Sequence, residues 1–261
     1  MTEPSSKNKI SNLEYQRQHF FSHESLSGFD HEKGIEYISS LDEKKFSSFI
    51  LNKNKSSPLI QPRGGFPSFD KQLLLSKSLA DAGADFIPLT IDSYTRLNDY
   101  DRAEILLNEG EGLGKDLLNG YPLIAHGYEI TRDIFEDISL PISLRHGTPD
   151  ARLLVENALA SGITEIEGGA LCYSLPYASK FPIDRALLYW QYVDRICAEY
   201  TSDKHKIHRE SFGPLTATLV PPVMVALVQI IELLLAAEQG ITSFSVSFSQ
   251  SGSIEQDIAL A

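Results

Sequence analysis

The chain has 261 residues, 42% of them hydrophobic, so it can bury a substantial core as one (β/α) barrel or one to two smaller domains. A formal charge of −12 opposes the clustered basic face that nucleic acid requires. Two cysteines, Cys172 and Cys197, make neither a disulfide framework nor paired metal-ligand spacing, and the polar start lacks an apolar signal core, so the expected compartment is the reducing cytoplasm.

Residues 1–55 are polar, with apolar positions at Ile35, Tyr37, Ile38, Leu41, Phe46 and Phe49 at helical spacing, and read as an N-terminal helical extension. From Leu59 onward, apolar runs of strand length alternate with helical segments, the pattern of βα units and a parallel sheet. Residues 56–261 therefore read as a partial (β/α) barrel that carries the site. Strands are predicted over 58–61, 85–90, 121–125, 141–144, 163–166, 206–209 and 243–248, with a helix over 70–82 among the connections. Gly83, Gly162 and Gly240 each end a helical pattern shortly before a strand. Thr148 and Pro149 read as the N-cap and first position of a helix. The most apolar run, 223–237, is shorter than a membrane span and contains Gln229 and Glu232, so it is expected to be a core helix. These units are too few for an eight-stranded closed barrel, which leaves an open sheet or a barrel without its last units.

Four side chains share one placement. Arg63, Arg96, Arg145 and Glu167 each follow an apolar run where the chain turns, three of them beside glycine. Folds built from βα units put their ligands at such strand ends. Arginine presents a planar fork that matches carboxylates, so three of them at neighbouring strand ends form a clamp for a small dianion; the alternative is that some make structural salt bridges. Glu167 can accept hydrogen bonds from a substrate ammonium while Tyr173 and Tyr177 donate to a carboxylate, and the alternative there is internal pairing and packing. His146 adjoins Arg145; His126 is a lone histidine, and His205 and His208 lack a third ligand for a metal. No Walker loop, Rossmann glycine pattern, nucleophile elbow, zincin motif or cobalamin-carrying Asp-x-His-x-x-Gly loop is present, and the lack of a lysine at the predicted strand ends argues against a Schiff-base lyase or aldolase.

Several motifs together carry a resemblance: Pro62-Arg63-Gly64-Gly65, the segment 90–96 (ThrIleAspSerTyrThrArg), Leu117-Leu118-Asn119-Gly120, Arg145-His146-Gly147-Thr148-Pro149-Asp150, Glu167-Gly168-Gly169, Tyr173 to Tyr177 and the run 212–222. With them the chain resembles, from about residue 57 to its end, the epsilon subunit of glutamate mutase (methylaspartate mutase). The resemblance implies a TIM barrel, incomplete here, that joins a small cobalamin-binding (sigma) subunit in a hetero-oligomer. Its implied reaction is the adenosylcobalamin-dependent radical rearrangement of L-glutamate to threo-3-methylaspartate, an isomerase activity of glutamate catabolism. It further implies that Arg63, Arg96 and Arg145, with His146, hold the substrate carboxylates; that Glu167, the residue assigned as catalytic, engages the amino group; and that Tyr173 and Tyr177 complete the pocket. Gly65, Asn119, Pro176, Thr90 and Phe212 are the implied coenzyme contacts, and no metal ligand is assigned. Family subunits continue past the end of this chain, so unaided turnover is not expected. The runner-up is an inactive partial barrel that retains dicarboxylate binding or subunit docking.

Overall fold

The structure, a computed structural model, describes residues 30–48, 59–110, 117–174, 176, 178, 180–211, 220–247 and 252–260. Among them, β1 (Ile87–Thr90), β2 (Ile142–Arg145), β3 (Glu165–Glu167), β4 (His208–Glu210) and β5 (Phe244–Ser245) form one wholly parallel sheet in chain order. Parallel neighbours require crossovers, which helices supply. α1 (His31–Ser40) and α2 (Phe69–Asp81) precede β1. α3 (Ser93–Arg96), α4 (Tyr100–Asn108) and α5 (Leu123–Phe135) lead to β2, and α6 (Arg152–Ala160) leads to β3. α7 (Ala170–Ser174) and α8 (Ile183–Glu199) lead to β4, α9 (Pro222–Glu238) leads to β5, and α10 (Ile254–Leu260) follows. The long helices α2, α5, α6, α8 and α9 each pack against the next.

Side chains alternate across a strand, so the register sorts the sheet into two faces. One row, Leu89, Leu144, Ile166, Arg209 and Phe244, belongs to the helix side. Leu89, Leu144 and Ile166 enter the main apolar core with Val155, Ala158 and Val193 from the helices. The opposite rows are polar: Thr90 beside Arg145 and Glu167 beside Glu210, with Ser143, Glu165 and His208 one layer below. An apolar helix side and a polar opposite side explain why the candidate site lies on the face of the sheet away from the helices.

Residues 30–48 share this core through Ile38 and Phe46. Thr164 Oγ1, just before β3, donates to Lys45 O at 2.7 Å, and Lys45 Nζ donates to the carbonyls of Phe135 and Glu136 at 3.1 Å. The segment therefore covers the starts of the strands, opposite the end that carries Arg145 and Glu167.

The predicted strands over 85–90, 141–144, 163–166 and 206–209 occur with bounds shifted by one or two residues, and that over 243–248 is reduced to Phe244–Ser245, Phe248 lying outside the described residues. The helix over 70–82 is Phe69–Asp81, and Gly83, Gly162 and Gly240 follow their helices at positive φ. Four expectations are corrected. The described part of the 58–61 strand is irregular: Ile60 O and Gly64 O accept from Asp85 N and Thr90 N beside β1, but Pro62 has no N–H to continue a ladder. The 121–125 strand is a single bridge, Tyr121 to Ile91, after which Pro122 breaks the pairing and α5 begins; a short buried apolar run suits either element. Thr148 does not cap a helix: its Oγ1 accepts from Asp150 N at 3.2 Å, Asp150 grips Arg152, and α6 starts at Arg152 with Ala151 before it.

The fourth correction concerns α9. It is a 17-residue helix, but Val223, Leu227, Ile230 and Leu234, at helical spacing, are 48–79% exposed, whereas the polar Gln229 and Glu232 are 2% and 3% exposed. One apolar stripe faces outward, while Gln229 and Glu232 face inward beside Val225, Val228 and Ala236, which enter the main core, so α9 is a core helix on one face only. Among the described residues no helix is long and apolar enough to cross a membrane.

Candidate functional site

The site forms where β1, β2, β3 and β4 end side by side. Arg145, the last residue of β2, is 2% exposed. Its Nη2 lies 3.1 Å from Glu165 Oε1, its Nη1 lies 2.5 Å from Glu210 Oε2, and the same Nη1 lies 3.1 Å from Glu167 Oε2. Burial disfavours the guanidinium charge, yet the surrounding carboxylates, Glu167 foremost, hold its pKa well above the usual arginine value.

The carboxylates carry the complementary signature. Burial pushes Glu165 up to about 7 against the pull of Arg145, while Gln61 Nε2 donates to it at 3.2 Å. Burial also raises Glu167, opposed by Arg145 and by Arg63, whose exposed side chain is thereby placed within electrostatic reach. Glu167 Oε2 is buried, and its close contact is the ion pair with Arg145 Nη1 at 3.1 Å. Tyr173, on α7, is buried and borders Glu167, and burial and that carboxylate push its phenol well above the usual range.

Arg96 ends α3, whose start is capped by Asp92 accepting from Tyr94 N and Thr95 N at 2.8 and 3.1 Å. Arg96 Nε donates to Asp92 O at 3.3 Å, and its charge, like that of Arg145, acts on His146. It also lines an adjoining cleft of about 290 Å³ with Asn98, Thr148, Phe181 and Arg185. His146 is wholly engaged: Thr148 N donates to Nδ1 at 3.3 Å, which assigns the proton to Nε2, donating to Glu167 O at 2.7 Å. Burial lowers its pKa to about 3, so the ring is neutral and fixes the end of β3.

The turn after Glu167 needs its glycines. Gly168 has φ +118°, and a Cβ there would lie 2.5 Å from Trp190 and Tyr173; a Cβ on Gly169 would lie 2.4 Å from the Glu232 carboxylate. Glu232 Oε1 in turn accepts from Leu171 N and Cys172 N at 2.6 and 3.2 Å, anchoring α7 and hence Tyr173.

Three of the predicted coenzyme contacts meet at the end of β1. A Cβ on Gly65 would lie 2.3 Å from Thr90 O, and Asn119 Oδ1 accepts from Ser93 N at 2.9 Å just beyond Thr90. Thr90 Oγ1 is buried without a hydrogen-bond partner among the described residues. Gly65 thus serves the close packing of its own backbone on Thr90, and the orphaned Thr90 hydroxyl is the one observation here that a bound group would satisfy. Pro176 is half-buried after α7; Tyr177 and Phe212 lie outside the described residues. The other histidines weighed from the sequence have local partners. His126 Nε2 contacts Pro67 O at 2.7 Å and its ring stacks on Tyr121; His205 stacks on Phe46; His208 Nδ1 contacts Ser243 Oγ at 2.8 Å.

Sequence reasoning did not single out Glu165 or Glu210. The signal existed: Glu165 stands two positions before Glu167 on one strand face, and Glu210 ends β4 one residue past the predicted strand.

Residues 41–261 match the family described as Methylaspartate mutase E chain (MutE). The chain is 42% identical over 231 residues to the glutamate mutase epsilon subunit of Haloarcula marismortui, covering 88% of this chain and 47% of that protein. It is 42% identical over 230 residues to that of Escherichia coli O157:H7, covering 87% and 48%, and 38% identical over 250 residues to that of Fusobacterium nucleatum, covering 95% and 52%. The chain thus spans about half the length of the curated relatives it matches. It belongs to the methylaspartate mutase E chain family.

Proposed function

We propose that this chain is the substrate-binding part of a mutase large subunit whose reaction interconverts L-glutamate and threo-3-methylaspartate. The observation that carries the reading is a buried carboxylate, Glu167, whose Oε2 faces Arg145 Nη1 at 3.1 Å and which lies within the field of Arg63, while Arg96 joins Arg145 around His146. In this reading the arginine forks fix the two substrate carboxylates, Glu167 accepts from the substrate ammonium, and Tyr173 and Tyr177 close the pocket. His146 holds the Glu167 backbone. Fixing both carboxylates in a site closed to water keeps a reacting substrate aligned. Gly65, Thr90, Asn119, Pro176 and Phe212 would hold adenosylcobalamin, which supplies the radical chemistry when bound. Its carrier is a small cobalamin-binding (sigma) subunit, and the cytoplasm suits two buried free cysteines.

A TIM barrel is the proposed architecture. Strand order 1-2-3-4-5 without the reversal of a doubly wound sheet, and helices packing consecutively, favour a barrel wall. The exposed stripe of α9 and the edge of β5 also support a second reading, in which this chain binds a dicarboxylate or docks a subunit without turnover. Each such side chain left in water forgoes roughly 1.5–3 kcal/mol of burial, so further βα units are the expected cover. Mixing the chain with the small subunit, adenosylcobalamin and L-glutamate tests both. Coenzyme-dependent methylaspartate supports the first reading, calorimetric binding without product supports the second, and neither from folded protein overturns both.

A further inference from the structure

One group of residues next to this site has no role in the reading so far. Arg145 is held not by one carboxylate but by two donor-specific ones, Glu165 on Nη2 and Glu210 on Nη1. Glu210 is itself held. Its Oε1 accepts from Ser247 Oγ at 3.2 Å. The backbone of Ser247 is gripped at both ends by the Gln229 amide, whose Nε2 donates to Ser247 O at 2.5 Å and whose Oε1 accepts from Ser247 N. A chain of contacts therefore runs from α9 through the segment after β5 and the end of β4 to the guanidinium. It also explains why a mostly apolar helix buries a glutamine.

Stability does not account for the arrangement. Taking three carboxylates and one guanidinium out of water is a poor source of folding energy, and apolar residues of similar volume commonly do as well. What the cluster does supply is geometry: two hydrogen bonds from two strands fix the plane of a fork that otherwise rotates about its side-chain bonds. We propose that Glu210, braced by Ser247 and Gln229, is a positioning residue that together with Glu165 sets the Arg145 fork for a ligand carboxylate. The last step rests on the dicarboxylate reading; the clamp itself does not.

Two measurements on Glu210→Gln separate them. In nitrogen NMR of the full chain, rotation about the Arg145 Cζ–Nε bond is expected to be slow in the wild type and at least tenfold faster in Glu210→Gln, with Ser247→Ala in between and Glu210→Asp partly restored. Equal rates in wild type and variant overturn the clamp. In calorimetry of the chain with its small subunit, the Kd for L-glutamate is expected to rise at least tenfold in Glu210→Gln at unchanged melting temperature. A loosened fork with unchanged affinity overturns the step from clamp to ligand, and a wild type that binds no L-glutamate overturns the dicarboxylate reading while leaving the rotation result to decide the clamp. If Glu210→Gln fails to fold, Ser247→Ala, which removes one hydroxyl, is held to the same criteria with a smaller, about threefold, change.

Discussion

Arg145 on β2 and Arg209 on β4 are both buried, at 2% and 1% exposure, and lie on opposite faces of one sheet. Arg209, on the helix side, donates from Nε to Asp194 at 2.7 Å and from its two terminal nitrogens to Ile166 O and Gly168 O at 2.5 and 2.8 Å, and it lies 4.8 Å from the Trp190 ring centre. One carboxylate pairs with it directly, and its donors end on the fold. Arg145, on the inner side, meets three carboxylates within 3.1 Å at the open ends of the strands. Burial alone does not distinguish a structural arginine from one that serves a ligand; the sign and number of the charges around it, and the face it occupies, do.

The contrast breaks most visibly at Arg209. Arg209→Met should destabilise the fold by about 3–5 kcal/mol, because Asp194 is left buried and unpaired, and chemical denaturation reads this directly. A loss comparable to that of a surface substitution would erase the distinction.

The inner cluster should respond to pH between 5 and 8. Burial raises Glu165 from an ordinary 4.5 to about 7, so the folded state favours its proton. That contribution is fully present below pH 4.5 and is lost as pH rises through 7. His146, lowered by burial from 6.5 to about 3, acts in the opposite sense: its contribution is present above 6.5 and is lost as pH falls through 3. Melting temperature followed from pH 5 to pH 8 should therefore show a downward component in the wild type that Glu165→Gln removes, and an identical profile in the variant would contradict the assignment.

The smallest effect is expected on the exposed stripe of α9. Leu227→Glu should leave stability within about 0.5 kcal/mol of the wild type, since this side chain is 48% exposed. A large loss of stability would mean that the stripe is already covered.

Much of this could be read from the sequence. The βα alternation, five of the strands and the strand-end position of Arg145 and Glu167 follow from apolar runs that stop at charged residues and glycine. Pro62 and Pro122 defeated two strand assignments because run length carries no information on ladder donors. Glu165 and Glu210 stayed hidden because a glutamate inside or just beyond a short strand reads as solvated unless the face it shares with Arg145 is known to be buried. The exposed stripe of α9 was missed for a related reason: its composition indicates burial all round, while the face it turns inward, Val225, Val228 and Ala236 with Gln229 and Glu232, leaves a second apolar stripe outside.

The most direct test compares L-glutamate binding by wild type and Arg145→Lys, each joined to the small subunit, by titration calorimetry. Lysine keeps the charge among the three carboxylates but loses the fork, so affinity should fall by about 1–3 kcal/mol while the fold is retained. Equal affinity in the two proteins would contradict the claim that the Arg145 guanidinium receives a ligand carboxylate.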